Sequence, residues 1–147
     1  MAKKTEAKKT TAGKSEAYVD TSALIAFVDR SDSYHSLFRH LFSAPPRLMT
    51  TSLVVSEGHA WFLKRYDRMR ARQFLNLIED MSVLQIVAVG TGEITAGRGL
   101  LGRFPDQDLT LVDAVGLHLM KIHRTRSCWS TDFHLGLTGV PLAVHEH

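Results

Sequence analysis

Short β-type runs alternate with longer helical stretches along most of this chain. The predicted strands are short apolar runs at residues 17–20, 48–50, 83–89, 127–131 and 142–144. The predicted helical stretches lie between them, at residues 23–28, 33–42, 52–65, 69–81, 93–104, 111–122 and 133–137. This alternation is typical of an α/β fold with a central, mainly parallel sheet flanked by helices.

Local signals set several of the predicted boundaries. The hydroxyl of Ser22 is predicted to cap a helix that begins at Ala23. The proline pair at 45–46 ends the helix before it, because proline lacks the N–H that a helix interior needs. The stretch 93–104 is the weakest predicted helix, since three glycines dilute it.

The length and composition indicate a single domain. At 147 residues the chain is long enough to bury a substantial core. No apolar run approaches the ~20 residues that span a bilayer, and the N-terminus lacks the apolar segment of a signal peptide. We therefore expect a cytoplasmic protein. The lone cysteine, Cys128, lies in an apolar run and is predicted to be a buried, inert thiol.

The net charge of +3 is carried by the N-terminus. Residues 1–17 contain five Lys and two Glu, and the remainder is formally neutral. We divide the chain into a disordered basic arm at residues 1–16 and a folded domain at residues 17–147. The arm either contacts RNA or serves only as a solubilising leader.

Four acidic residues adjoin apolar runs, although they are spread over more than a hundred positions. They are Asp20, Glu57, Asp113 and Asp132. Asp20 and Asp132 fall at the carboxyl end of a predicted strand, which is where ligands bind in a parallel sheet. Glu57 and Asp113 fall near the start of helices that begin at the same edge. The sequence therefore predicts that the four carboxylates meet at one edge of the sheet.

Each carboxylate also has a structural explanation of its own. Asp20, Asp113 and Asp132 occupy positions where an acidic side chain caps a helix, and Glu57 is compatible with an exposed helical position. A cluster of four carboxylates would repel itself unless a cation neutralised it. An all-oxygen ligand set suits Mg²⁺ or Mn²⁺, and such ions activate water for phosphodiester hydrolysis.

The segments around these acids carry a resemblance to a known family. They read Asp-Thr-Ser-Ala-Leu-Ile-Ala-Phe from Asp20, Thr-Ser-x-x-Val-x-Glu to Glu57, Leu-Thr-x-x-Asp-Ala through Asp113, and Ser-Thr-Asp-Phe-His-x-Gly through Asp132. In order and spacing they resemble the motifs of PIN-domain ribonucleases over residues 17–145. Within that family the chain is most similar to the VapC-type toxins of toxin–antitoxin pairs, which are single small PIN domains.

The resemblance implies a metal-dependent endoribonuclease. In such an enzyme Asp20, Glu57, Asp113 and Asp132 would be catalytic and would hold Mg²⁺ or Mn²⁺. It further implies a homodimer and a cognate antitoxin that covers the active site. The hydroxyl residues at these motifs would support the metal shell or the phosphate through water; they are Thr21, Ser22, Ser130 and Thr131.

Basic residues outside the acidic edge are candidates for RNA binding. The densest basic stretch runs from Lys64 to Arg72, and within it we expect Arg65, Arg68 and Arg72 to contact RNA. A solvated helix face explains the same pattern. His134 lies close in sequence to Asp132, and a surface or hydrogen-bonded role is expected for it.

Two other functions compete with the ribonuclease. A PIN-like fold with a weak metal site would serve as an RNA-binding or protein-docking module, but the intact acids argue against it. A DNA nuclease such as a flap-cutting enzyme usually carries more acids. The segment 97–102 matches G-x-G-x-x-G, yet it does not follow a strand directly or open a helix, so we do not expect a dinucleotide site.

Overall fold

A four-stranded parallel sheet organises the protein, and the computed structural model describes residues 14–147. The strands are β1 (Ala17–Val19), β2 (Leu48–Thr51), β3 (Leu84–Val87) and β4 (Ser127–Trp129). Their order across the sheet is β3-β2-β1-β4. Tyr18 of β1 lies opposite Met49 on one side and Cys128 on the other. The predicted α/β class with a parallel sheet is confirmed.

Helices connect the strands and cover both faces of the sheet. They are α1 (Thr21–Val28), α2 (His35–Leu41), α3 (Ser52–Arg65), α4 (Arg68–Asp80), α5 (Thr91–Arg103), α6 (Leu111–His123), a 3₁₀ turn (Phe133–Gly136) and α7 (Ala143–Glu146). Helix α3 begins where it does because the Thr51 hydroxyl accepts a hydrogen bond from the N–H of Val54 at 3.2 Å.

Two apolar layers form the core, one on each face of the sheet. Ala17 and Val19 of β1 pack into the layer that contains residues of α1 to α4, whereas Tyr18 points into the layer that contains residues of α5 and α6. This division follows from strand geometry, because successive side chains point to opposite faces. All three residues of β1 are buried, so the strand is covered on both faces up to the residue that precedes Asp20.

Close helix packing at Gly58 positions α3 against α4. A Cβ at this position would lie 2.3 Å from Cζ of Phe74, a fully buried ring. We expect Gly58→Ala to destabilise the protein by about 2 kcal/mol, because overpacking at the severe end costs ~3 kcal/mol and the gain in helix propensity returns ~1 kcal/mol. Denaturant unfolding measures the difference in the free energy of unfolding.

Gly99→Ala in α5 is the matched control for that prediction. Apart from the helix's own backbone and the adjacent residues, no atom of the described part of the chain lies within 4 Å of a Cβ built at Gly99, so this substitution keeps only the gain in helix propensity. We expect it to stabilise the protein by up to about 1 kcal/mol. Equal effects of the two substitutions would contradict the packing account of Gly58.

Two predicted boundaries are wrong. Helix α1 starts at Thr21, so Ser22 lies within the helix and Asp20 occupies the N-cap position in its place. The predicted strand at 142–144 is limited to one bridge between Cys128 and Leu142, because α7 begins at Ala143.

Only the last part of the predicted N-terminal arm falls within the described residues. Residues 1–13 of the predicted arm lie outside the described residues. Glu16, which we placed at its end, is joined to the domain: its N–H donates to the carbonyl of Arg47 at 2.8 Å, and its carbonyl accepts from the N–H of Arg126 at 2.8 Å.

Between residues 14 and 147, no helix combines the length and the apolar character that a membrane crossing needs.

Candidate active site

The four predicted carboxylates come together in one cavity. Asp20 follows β1, Glu57 lies in the second turn of α3, Asp113 lies in the first turn of α6, and Asp132 follows β4. All four line an open cavity of about 420 Å³ at the carboxyl edge of the sheet. The topology produces this convergence, since the ends of neighbouring parallel strands lie at the same edge.

Asp20 is the most deeply buried member of the group. Its side chain is 4% exposed, and its Oδ2 accepts hydrogen bonds from the hydroxyls of Ser22 at 2.8 Å and Ser130 at 3.0 Å. Its side chain makes no capping hydrogen bond, so capping does not explain it. Burial raises the pKa of Asp20, and the negative charge of Asp113 adds to the effect.

Asp113 combines a structural role with its place in the cavity. It forms a capping box with Thr110: the N–H of Asp113 donates to the Thr110 hydroxyl at 3.1 Å, and the N–H of Thr110 donates to Oδ2 of Asp113 at 3.2 Å. The predicted capping alternative is therefore real at this position, but it uses one carboxylate oxygen. Burial raises the pKa of Asp113, and the charges of Asp132 and Glu57 contribute in the same direction.

Asp132 is paired with His134 and caps the 3₁₀ turn, as its structural alternative predicted. Its Oδ1 accepts the N–H of His134 at 3.0 Å and lies 2.8 Å from Nδ1 of the same residue. His134 is thus hydrogen bonded, as expected, and it fixes the orientation of the carboxylate. One ligand atom each from Asp113, Asp132 and His134 lie within 4.8 Å of one another, so the structure adds His134 to the residues that could hold a metal, a role that the sequence did not assign to it.

Glu57 completes the group from helix α3. Its carboxylate accepts a short hydrogen bond from the hydroxyl of Thr21, which ties α3 to α1. Desolvation raises the pKa of Glu57, and the charges of Asp20 and Asp132 add to the rise. Glu57 nevertheless keeps contact with solvent, as the sequence alternative expected of a helical surface residue.

A network of hydroxyls supports the carboxylates. The Ser130 hydroxyl donates to Asp20 and accepts the N–H of Asp132 at 2.9 Å. It also lies 3.1 Å from the hydroxyl of Ser22, which accepts the N–H of Thr131 at 3.0 Å. The loop after β4 and the start of α1 are therefore held in one arrangement. The sequence drew attention to these hydroxyls, but not to the way in which they connect.

The donor set fits a divalent cation. Within residues 14–147, no Lys or Arg forms an ion pair with any of the four carboxylates, and the one such contact at the site is between His134 and Asp132. Burial and mutual repulsion disfavour the charged forms of Asp20, Glu57 and Asp113. A bound cation relieves both penalties, and oxygen ligands of this kind suit Mg²⁺ or Mn²⁺.

Sequence analysis did not assign Trp61 to the site, and it placed Lys64 only in the basic stretch that was a candidate for RNA binding. Trp61 and Lys64 line the cavity together with Glu57. The signal was available, because positions 57, 61 and 64 share one face of a helix. Three arginines that we expected to bind RNA are exposed but do not line the cavity, and their role stays a prediction; they are Arg65, Arg68 and Arg72.

Solved structures with the same fold include bacterial toxins. The VapC20 toxin of Mycobacterium tuberculosis, described as cleaving the sarcin–ricin loop, is 20% identical, with a TM-score of 0.78 over 84% of this chain and 95% of that one. A toxin–antitoxin complex from Klebsiella pneumoniae is also 20% identical, with a TM-score of 0.58 over 86% of this chain and 95% of that chain. No curated protein matches this chain significantly in sequence.

A family model provides the assignment that these structures leave open. The model of the PIN domain matches residues 17–134, a range that contains all four strands and all four carboxylates of the cavity. The chain therefore belongs to the PIN domain family.

Proposed function

We propose that this protein is a metal-dependent endoribonuclease that hydrolyses phosphodiester bonds in RNA and acts as the toxin of a type II toxin–antitoxin pair. The observation that carries the proposal is the convergence of Asp20, Glu57, Asp113 and Asp132 on one open cavity, where none of them forms an ion pair with a Lys or Arg of residues 14–147. The four carboxylates would hold Mg²⁺ or Mn²⁺. When bound, such an ion supplies a nucleophilic hydroxide at neutral pH and neutralises charge on the phosphate.

The residues of the chain supply placement and charge. Ser22 and Ser130 hold one oxygen of Asp20, and His134 holds one oxygen of Asp132, so both carboxylates are fixed in orientation at the cavity. This order reduces the reorganisation needed when phosphate binds. Within the described residues, no cysteine lines the cavity, and Cys128 is buried, so a thiol nucleophile has no support.

The comparisons support the toxin role. VapC20 is described as a toxin that cleaves an RNA loop, and the Klebsiella pneumoniae structure is a complex of a toxin with its antitoxin. On that basis we propose RNA as substrate and a small antitoxin as partner. A homodimer and a cytoplasmic location complete the proposal, and both rest on the resemblance and composition described above.

Cleavage of a mixed RNA pool tests the proposal directly. The purified protein is incubated with labelled RNA in Mg²⁺, in Mn²⁺ or in EDTA, and the products are separated by length. We expect cutting with either ion, none in EDTA, and recovery when Mg²⁺ is restored in excess. Persistent inactivity with both ions, accompanied by RNA binding, would favour the docking-module alternative. Cleavage of single-stranded DNA at an equal rate would favour the DNA nuclease.

Ser130→Ala is expected to lower the cleavage rate by about 10- to 100-fold, the usual effect of losing a group that orients a metal ligand. The substitution removes the donor to Asp20 and leaves the N–H of Asp132 without its acceptor. Steady-state kinetics against Mg²⁺ concentration measures the effect. A positioning role requires a higher Mg²⁺ concentration for half-maximal rate. Ser130→Thr, which keeps the hydroxyl, should restore part of the rate, and failure of both variants with an unchanged Mg²⁺ requirement would contradict this role.

A further inference from the structure

One wall of the cavity combines an aromatic ring with a cation, which the carboxylates do not explain. Trp61 and Lys64 lie on the same face of α3 as Glu57 and line the same cavity. The rise from Glu57 to Lys64 is about 10 Å at 1.5 Å per residue. Along this face Trp61 lies between Glu57 and Lys64, beside a ligand that spans the two.

The indole is held rigidly in this position. It packs edge-on against Phe62, whose ring is fully buried, with 4.9 Å between centroids and an interplanar angle of 82°. The centroids of the Trp61 and Tyr66 rings lie 6.2 Å apart, with an interplanar angle of 67°. The indole is only partly buried, so part of it stays free on the cavity side. A ring held by packing loses little entropy when a second flat group stacks on it.

Further cationic side chains follow Trp61 and Lys64 along the chain, around the ring of Tyr66. The guanidinium groups of Arg65 and Arg70 lie 5.8 and 5.3 Å from the centroid of the Tyr66 ring. Tyr66 is 39% exposed, and its hydroxyl is anchored by donating to Asp29 at 2.9 Å. Aromatic and cationic groups therefore alternate along the end of α3 and the start of α4, leading away from the acidic cavity.

We infer that Trp61 is a stacking platform for an unpaired RNA base, and that Lys64 binds the phosphate next to it. The inference rests on the proposed ribonuclease function and names the part of the substrate that this wall takes. Base–aromatic stacking beside a positive groove is the usual way in which proteins hold single-stranded nucleic acid. In a duplex the bases stack on one another, so no face is free for the indole. The wall therefore selects single-stranded or looped RNA.

Fluorescence anisotropy with a labelled single-stranded RNA oligonucleotide tests the inference, with Ca²⁺ in place of Mg²⁺ to suppress cleavage and the length of the RNA checked on a gel after each titration. We expect Trp61→Ala to weaken single-strand binding by about tenfold or more, as loss of one base stack does. Trp61→Phe should keep most of the affinity, because the smaller ring still stacks. Leu63→Ala is the matched control, since Leu63 is 42% exposed on the same helix but does not line the cavity.

Tryptophan fluorescence gives a readout that a merely structural role would not move. The chain has two tryptophans, and Trp129 is 5% exposed against Phe42 in the core. Quenching by the bound oligonucleotide should therefore come from Trp61 and disappear in Trp61→Phe. The same oligonucleotide annealed to its complement should bind weakly and cause no quenching. Equal affinity of Trp61→Ala and wild type for the single strand, or equal quenching by the duplex, would overturn the inference.

Lys64→Ala tests the phosphate contact separately. We expect the slope of log affinity against log salt to fall in magnitude by about 0.7, the loss of one phosphate contact on a single strand. Lys121→Ala on α6, exposed and outside the cavity, should leave the slope unchanged. An unaltered slope in Lys64→Ala would remove Lys64 from the inference.

These measurements separate the inference from the proposed function. Binding and quenching that depend on Trp61, without cleavage of natural RNA, would support the platform and reject the nuclease. Cleavage that depends on metal, with binding indifferent to Trp61, would support the nuclease and reject the platform. Wild-type protein that binds no single-stranded RNA would reject the platform outright.

Discussion

Asp20→Asn is expected to reduce RNA cleavage by at least about a hundredfold while leaving the fold intact. Loss of a group that merely supports a metal ligand costs 10- to 100-fold, so loss of a ligand charge at the buried centre of the cavity should cost more. The asparagine oxygen still accepts from Ser22 and Ser130, and so the hydrogen bonds that join β4 to α1 persist. Cleavage rates under saturating Mg²⁺ measure the effect.

The same substitution should raise stability in EDTA. The substitution removes the negative charge of Asp20, a residue that is 4% exposed. That charge is repelled by the charge of Asp113. The thermal unfolding midpoint without metal should therefore equal or exceed that of wild type. Asp113→Asn should behave alike, although it weakens the capping box with Thr110. Asp80→Asn at the exposed end of α4 is the control and should change neither activity nor stability.

Wild-type activity in Asp20→Asn would contradict the proposed role of the carboxylates. Lost activity together with a lowered unfolding midpoint would show that Asp20 is a structural residue. The two outcomes differ in the stability measurement, which is why it accompanies the kinetics. Stability gained at the expense of activity is a common property of sites that hold like charges together.

The sequence predicted the layout of this fold because its strands are apolar and its helices begin at recognisable caps. Helix α3 runs from Ser52 to Arg65, as predicted, since Thr51 caps it. Four acids after apolar segments were expected to share one edge of a parallel sheet, and the cavity brings them together. Both predictions used short-range signals combined with one topological rule.

The errors arose where a contact between distant residues decides the local structure. Ser22 looked like a cap, but its hydroxyl donates to Asp20 and lies 3.1 Å from the Ser130 hydroxyl, more than a hundred positions away. Leu142 looked like the start of a strand, but only one bridge to Cys128 forms before the chain turns into α7. No local pattern encodes such partners.

Trp61 was overlooked for a different reason, and Lys64 was grouped with a basic stretch whose arginines do not line the cavity. On a helix, an aromatic or basic residue is more often part of the core or of a solvated face, and only the neighbouring acids show otherwise. Once Asp20 and Asp113 are brought to the same cavity as Glu57, this helix face becomes a cavity wall. The spacing of Glu57, Trp61 and Lys64 can be read from the sequence, but only the topology shows that their shared helix face borders the cavity.

The metal-free protein is expected to become less stable as the pH rises from about 4 toward neutrality. Burial raises the pKa values of Asp20 and Asp113 above their ordinary value of 3.8. The folded state therefore holds these protons more tightly than the unfolded chain. The stabilisation that these protons provide is fully present below the carboxyl pKa values of the unfolded chain. It is lost as the pH rises through the raised pKa values of the folded state. Asp29 acts in the opposite sense, because hydrogen bonds from Ser31 lower its pKa despite some desolvation.

Comparison of wild type with a variant shows how much the carboxylates of the site contribute to this pH dependence of stability. The free energy of unfolding is measured by denaturant in EDTA at several pH values, for wild type and for the double variant Asp20→Asn, Asp113→Asn. Asp29 lies outside the site and is common to both proteins, so it cancels in the difference. Glu57 does not cancel, because Asp20 helps to raise its pKa; relief of that repulsion in the variant adds to the difference in the same direction. We expect the variant to gain on wild type steadily as pH rises. A constant difference across the range would contradict the raised pKa values.

Mg²⁺ should reverse this loss in wild type alone. A ligand at a hundred times its Kd stabilises the folded state by about 2.7 kcal/mol, which raises the unfolding midpoint by roughly 5 to 10 °C for a domain of this size. The effect should be largest near neutral pH, where protons no longer compete for the carboxylates, and should fall away near pH ~4. The double variant should show almost none of it. Equal stabilisation of both proteins would place the cation elsewhere, whereas stabilisation confined to wild type would show that the repulsion among these carboxylates is balanced by a bound metal.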